Sequence, residues 1–195
     1  MKTKNIFTLF VLINIIFISV SASAVNNGSY NKTIGGNIYG SIQLADTLPV
    51  VDPGIGGGMF FDYRFNDRFS LMIESFFTSQ DGAGRSKGEG TIYFVSTPDL
   101  TFKVYILKGQ PRIEPYIGIG VGFYWLTEGS ASNNTGGFGI GAQVEAGVEY
   151  SLTDNLMLGA GGTYRSVGIL NSLSGNANAT TYMPYTLFGR IGYRF

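Results

Sequence analysis

Glu145 and Glu149 sit four residues apart in QVEAGVEY. On a strand, side chains alternate with period two, so both carboxylates fall on one face. Two acids so placed form a candidate acid/base pair or a candidate cation site. The rest of the chain supplies little for either, since it contains no His and no Cys. That removes Ser-His-Asp triads, imidazole bases, thiolate ligands and most transition-metal sites. Arg165, Arg190 and Arg194 follow on the next two strands, and neutralisation by these cations is the favoured structural role for the pair. Gly118-x-Gly120-x-Gly122 and Gly54-x-Gly56-Gly57-Gly58 have the look of phosphate cradles. No helix N-terminus follows either run, so they read as small residues on a crowded face. The Asn-x-Thr triplets at Asn31, Asn133 and Asn178 read as loop composition. No catalytic residue, cofactor or metal is expected.

The elements that position these residues are strands. The final one, Tyr185 to Phe195, puts Tyr185, Leu187, Ile191, Tyr193 and Phe195 on one face and Thr186, Arg190 and Arg194 on the other. The first begins at Asn37, with Asn37, Tyr39, Ser41 and Gln43 opposite Ile38, Ile42 and Leu44. The second sets Ile55, Met59, Phe61, Tyr63 and Phe65 against Phe60, Asp62 and Arg64; after a turn at Asn66-Asp67-Arg68 the third sets Phe69, Leu71, Ile73 and Phe77 against Glu74. In the fourth, Ile92, Phe94, Leu100, Phe102, Val104 and Ile106 are expected to share a face, opposite Tyr93, Asp99, Thr101, Lys103 and Tyr105. Pro98 cannot donate to a ladder and marks a bulge or break there. The fifth alternates Ile117, Ile119, Val121, Phe123 and Trp125 with Tyr116 and glycines, and the sixth alternates from Phe138 to Tyr150. The seventh carries Leu156, Leu158, Ala160 and Tyr164 opposite Arg165. Short turns at Asn66, Lys108 and Asp154 alternate with longer polar segments near 46 to 53, 79 to 90, 127 to 136 and 168 to 181.

Lys2 and Lys4, the apolar run Ile6 to Val20 and Ala22-Ser23-Ala24 have the form of a secretory signal peptide over residues 1–24. A retained anchor is the alternative, although the run is short of the about 20 apolar residues a spanning helix needs. Residues 25–36 read as a flexible lead-in, and residues 37–195 as one domain. Removal of the signal leaves 11 basic and 13 acidic residues and no basic stripe, which excludes a nucleic-acid partner.

The apolar face can line a soluble ligand cavity, as in lipocalins, or meet lipid. The face opposite it is crowded with Gly at 54, 56, 58, 118, 120, 122, 139, 141, 147, 159 and 161, which suits a cramped lumen. Tyr63, Phe65, Trp125, Tyr150, Tyr193 and Phe195 lie near strand ends, where interfacial girdles belong. The expected fold is therefore all-β: a transmembrane antiparallel up-and-down barrel of about eight strands.

The segments FDYRFNDRFSLMIESFF, TPDLTFKVYI, RIEPYIGIGVGFYW, QVEAGVEYSLTDNLMLGAGGTYR and FGRIGYRF resemble the small outer-membrane barrel proteins of the OmpA, OmpX and OmpW type. Asn66-Asp67, Glu114-Pro115-Tyr116-Ile117-Gly118 and Gly192-Tyr193-Arg194-Phe195 are most similar to the OmpW-like branch. The resemblance implies a bacterial outer-membrane location, a surrounding lipid phase, and a closing strand whose Ile191, Tyr193 and Phe195 act as the signal read by the barrel assembly machinery. It implies no enzyme: small barrels that modify lipid A lean on a His-containing site. Two functions stay open. One is a structural or narrow porin-like passage for small solutes, and the other is a surface module that binds a ligand through its outer loops. Inward parity predicts a lumen network in which Asp62, Glu74, Asp99, Glu145 and Glu149 balance Arg64, Lys103, Arg165, Arg190 and Arg194.

Overall fold

The computed structural model describes residues 31–43, 52–81, 91–107, 112–129, 135–171 and 178–195. The expected signal peptide and the expected turn at Lys108 lie outside these residues. The elements are β1 (Lys32–Gln43), β2 (Gly54–Arg64), β3 (Phe69–Gln80), β4 (Thr91–Tyr105), β5 (Ile113–Gly129), β6 (Thr135–Ser151), β7 (Leu156–Asn171), β8 (Asn178–Tyr182) and β9 (Pro184–Arg194). Neighbours in sequence pair antiparallel from β1 to β7, and β9 pairs with both β7 and β1. The sheet closes on itself and leaves no edge along the wall.

The wall has eight staves. β8 and β9 keep one register against β7, with Val167 opposite Tyr182 and Tyr164 opposite Tyr185. Only Met183 separates them, and Pro184 has no N–H to give to the ladder. The stretch 168–181, expected as loop, is thus strand as far as Asn171 and again from Asn178. β1 likewise starts at Lys32, so five residues of the expected lead-in are paired: Thr33 lies opposite Asp62 and Arg194. They continue an Asn-, Gly- and Ser-rich run over 25–31, which hides a strand that is paired on both flanks.

Two turns show why the chain reverses where it does. Asn66 Oδ1 accepts from the backbone N–H of Arg68 at 2.8 Å and of Phe69 at 3.1 Å. Thr153 Oγ1 does the same for Asn155 and Leu156, at 3.3 and 2.9 Å. Both side chains imitate a backbone turn.

The faces follow the alternation, with one reversal. Ile38, Ile55, Ile119, Ile140 and Leu187 are exposed on the outer wall, while Asn37, Tyr39, Phe60 and Asp62 are buried inside. On β4 the pairing slips between Ser96 and Asp99 against β5, and between Glu74 and Phe76 against β3. One extra residue inverts the parity of everything beyond it. Ile92 and Phe94, expected to share a face with Leu100 and Phe102, are buried in the lumen, and Tyr93 is exposed. The proline was legible as a bulge; its effect on the outer half of the strand is the correction.

Inward glycines make room for the aromatics beside them. A Cβ on Gly147 would meet Tyr116 Oη at 2.8 Å, and one on Gly122 would meet Tyr124 Oη at 2.7 Å. An eight-stranded barrel has space for little beyond its own side chains.

Candidate functional site: the lumen

From the turn end outward, the lumen is a column of ion pairs closed by rings. At the turn end Glu114 accepts from both guanidinium nitrogens of Arg64, at 2.6 and 3.0 Å, and from Arg194 at 3.2 Å. Glu114 was absent from the predicted set. The parity of Tyr116 and Gly118, continued two residues backward, finds it; the strand starts at Ile113, and Pro115 keeps its place opposite Val148.

Lys103 Nζ comes next, 2.6 Å from Asp62 Oδ2 and 2.9 Å from Glu149 Oε1. Tyr105 donates to Glu149 Oε2 at 3.1 Å, and Arg194 lies 3.5 Å from the same oxygen. Lys103 is fully buried, so each of its charge-assisted bonds forms out of bulk water.

Arg190 holds the middle. Its Nε donates to Asn37 Oδ1 at 2.9 Å, Nη1 to Tyr116 Oη at 3.0 Å and Nη2 to Glu145 Oε1 at 3.3 Å, with Glu149 3.8 Å away. Tyr116 and Thr163 also donate to Glu145, at 2.6 and 3.1 Å. The guanidinium carbon lies 4.9 and 4.5 Å from the ring centres of Phe60 and Phe188. Glu74 takes its hydrogen bond from Asn37 Nδ2 at 2.6 Å.

Asp99 and Arg165 form the outermost charged pair, with 3.5 Å between Nε and Oδ2. Gln143 donates to Asp99 Oδ1 at 2.5 Å and Tyr124 to Oδ2 at 3.2 Å. Arg165 donates to Thr186 at 2.6 Å and lies 4.4 Å over the ring of Phe76. Beyond it Phe94 stacks on Tyr124 at 5.2 Å and meets Tyr182 edge-on at 4.9 Å. Phe76, Phe94, Tyr124 and Tyr182 are all at 0% exposure, and Tyr182 donates to Gln80 across the bore.

All ten predicted charges face inward, and nine of them make ion pairs with one another or with Glu114; Glu74 is held by an amide instead. Counting Glu114, six carboxylates meet five cations. Asn37, Tyr116 and Gln143, not marked in the sequence, bridge the pairs. Glu145 and Glu149 point at Arg190 and Lys103, an arrangement that stores charge and leaves no free acid/base couple. Among the described residues no three His, Cys, Asp or Glu side chains converge on a metal position. The third predicted group lies elsewhere: Ile191 and Tyr193 are exposed on the wall, and Phe195 exchanges backbone hydrogen bonds with Lys32 at 2.9 and 3.3 Å.

The same arrangement of strands occurs in known proteins. The chain is 28% identical to the outer membrane protein PagN of Salmonella typhimurium over 206 residues, covering 85% of this chain and 84% of that one. Neisserial surface protein A superposes with a TM-score of 0.64 at 16% identity, over 87% of this chain and all of the other. Ail of Yersinia pestis, in complex with the heparin analogue sucrose octasulfate, does so with a TM-score of 0.52 at 16% identity, over 85% of this chain and 97% of its own. The model of the outer membrane protein beta-barrel domain matches residues 10–195, and with a closed, lipid-faced barrel behind that match the chain belongs to this family of outer-membrane proteins.

Proposed function

We infer that this outer-membrane barrel is sealed at rest and serves as a surface module, binding its partner through the hairpins that project beyond the membrane. The observation that carries this reading is the ring of Phe76, Phe94, Tyr124 and Tyr182, without exposure, above a column of ion pairs. A permanently open path needs neither. β5, β6 and β7 run for 17, 17 and 16 residues, against about 9 to 11 for a transmembrane strand. The surplus lifts the hairpin ends clear of the lipid.

Ail, seen with a heparin analogue, supports a surface ligand as the class of partner. Charge separates this chain from a polyanion binder. The sequence joining the strands at the outer end carries Asp46, Asp52, Asp81 and Glu89 against Arg85 and Lys87, and Glu128 lies beside it, next to last in β5. A cationic or neutral partner suits that sign, since like charge across an interface is unfavourable. The closing residues Ile191, Tyr193 and Phe195 are proposed as the mark read by the assembly machinery, after a signal peptide over residues 1–24 has directed export.

The second reading, a gated narrow passage, is favoured by the polar character of the lower lumen, because ion pairs can exchange partners. Planar-bilayer conductance of the refolded protein separates the two. The sealed reading expects a near-silent bilayer, and loss of partner binding without change in conductance when 130–134 and 172–177 are shortened. Large steady currents from the unaltered protein refute it.

A further inference from the structure

The outer wall carries a recess of about 670 Å³ at the far end of β2, β3 and β4. It begins with one feature of the sequence. β2 opens Gly54-Ile55-Gly56-Gly57-Gly58, and of these Gly57 shares the outward parity of Ile55 and Met59. Gly57 lies opposite Ile38 on β1 and Phe77 on β3. A Cβ at this position would meet only the Asn37 carbonyl oxygen, at 3.4 Å. The wall is therefore low here, between Ile55 at 78% exposure, Phe77 and Tyr93.

Toward the outer end the lining changes character. Ser79, Asp81 and Thr91 form the mouth, and Thr91 donates to Asp81 Oδ1 at 2.8 Å. The recess is thus apolar toward the membrane interior and rich in acceptors toward water, along the direction in which an outer-leaflet lipid runs from chain to head group. The geometry points to a binding site for one lipid of the outer leaflet, its acyl chain against Gly57 and Phe77 and a sugar-type head group donating hydroxyls to Asp81.

A carboxylate accepts and does not donate, so the mouth favours an uncharged, donor-rich head over a bare phosphate. The volume falls within the range of sites that hold a whole small ligand, about 300 to 1,000 Å³. The recess is continuous with the lipid-facing wall, and its occupant enters sideways from the bilayer. This inference rests on the outer-membrane assignment and is independent of the surface-module proposal.

Dodecyl maltoside is the probe. The protein is refolded in it, exchanged into an oligo-ethylene glycol detergent, and weighed by native mass spectrometry. The unaltered barrel is expected to retain one maltoside, and Gly57→Leu roughly tenfold less. Gly168→Leu, at another outward glycine where a Cβ lies 3.9 Å from its nearest neighbour, is expected to retain as much as the unaltered protein. A gel of boiled and unboiled samples verifies that each variant is folded; should Gly57→Leu not fold, Phe77→Ala removes the side of the recess instead. No retained maltoside, or equal retention by the folded Gly57→Leu or Phe77→Ala barrel, overturns the site. Equal retention of dodecylphosphocholine overturns the head-group assignment.

Discussion

Asn37 on β1 faces Arg190 on β9 across the seam that closes the barrel, and Arg190 Nε donates to Asn37 Oδ1 at 2.9 Å. The first and last staves are therefore joined by side chains as well as by their ladder. The same amide turns its Nδ2 to Glu74 at 2.6 Å and to Tyr39 Oη at 2.8 Å. Asn37 connects a buried cation to a buried carboxylate that has no cation within salt-bridge distance among the described residues.

Asn37→Ala is then expected to cost more than one neutral hydrogen bond. It strands both Arg190 Nε and Glu74, and a bond to a charged group is worth about 1.5 to 3 kcal/mol. Denaturant unfolding in detergent micelles measures the loss. In a double-mutant cycle with Glu74→Gln, a coupling energy near zero would show that the amide does not serve Glu74.

Lys103 lies between two carboxylates, Asp62 and Glu149, at under 3 Å from each. Removing one partner of a buried pair costs about 3 to 5 kcal/mol, because the other charge is left alone. Lys103→Ala is predicted to destabilise the barrel by that order and to raise its conductance with a preference for cations. Arg190→Ala is expected to act in the same direction. Unaltered currents in both variants would mean that the rings, and not the ion pairs, hold the bore shut.

Gly147 on β6 and Gly168 on β7 face opposite sides of the wall. A Cβ on Gly147 meets Tyr116 Oη at 2.8 Å, whereas on Gly168 the nearest atom is the Ile140 carbonyl oxygen at 3.9 Å. Gly147→Val is predicted to lose about 1 to 3 kcal/mol through overpacking. Gly168→Val should unfold at the denaturant concentration of the unaltered protein, or above it. Equal midpoints for the two variants would contradict the packing described for the lumen.

Phe195 follows the end of β9 and is tied to Lys32, with Tyr193 and Ile191 exposed on the strand before it. If this edge is the mark read during assembly, Phe195→Ser lowers the amount of barrel in the outer membrane, yet the purified chain refolds in detergent. Quantitative immunoblotting of membrane fractions and a heat-modifiability gel report the two halves separately. Normal membrane levels would leave Phe195 with no role in targeting.

The sequence by itself determined which way each strand faces wherever the alternation ran unbroken, because side-chain parity is a local property of the backbone. Asp62, Lys103, Glu145, Arg165 and Arg190 were legible as inward charges on that ground. Parity fails where the chain gains a residue. The slip at Thr97-Pro98 brought Ile92 and Phe94 into the lumen, and the register against β3 and β5 decides that. Composition misled at Lys32 to Gly36, where Thr33 and Ile34, both good strand formers, stand between an Asn-rich run and two glycines, and Glu114 was missed although the parity of Tyr116 continues back to it. Strand order pointed to Arg190 and Arg194 as partners of Glu145 and Glu149, whereas Arg165, expected beside them, pairs with Asp99 instead, and the remaining pairings were left to the tertiary structure. Lys103 on β4 reaches Glu149 on β6, and Arg190 on β9 reaches Tyr116 on β5, through a stagger that accumulates from stave to stave and closes only when the last strand meets the first.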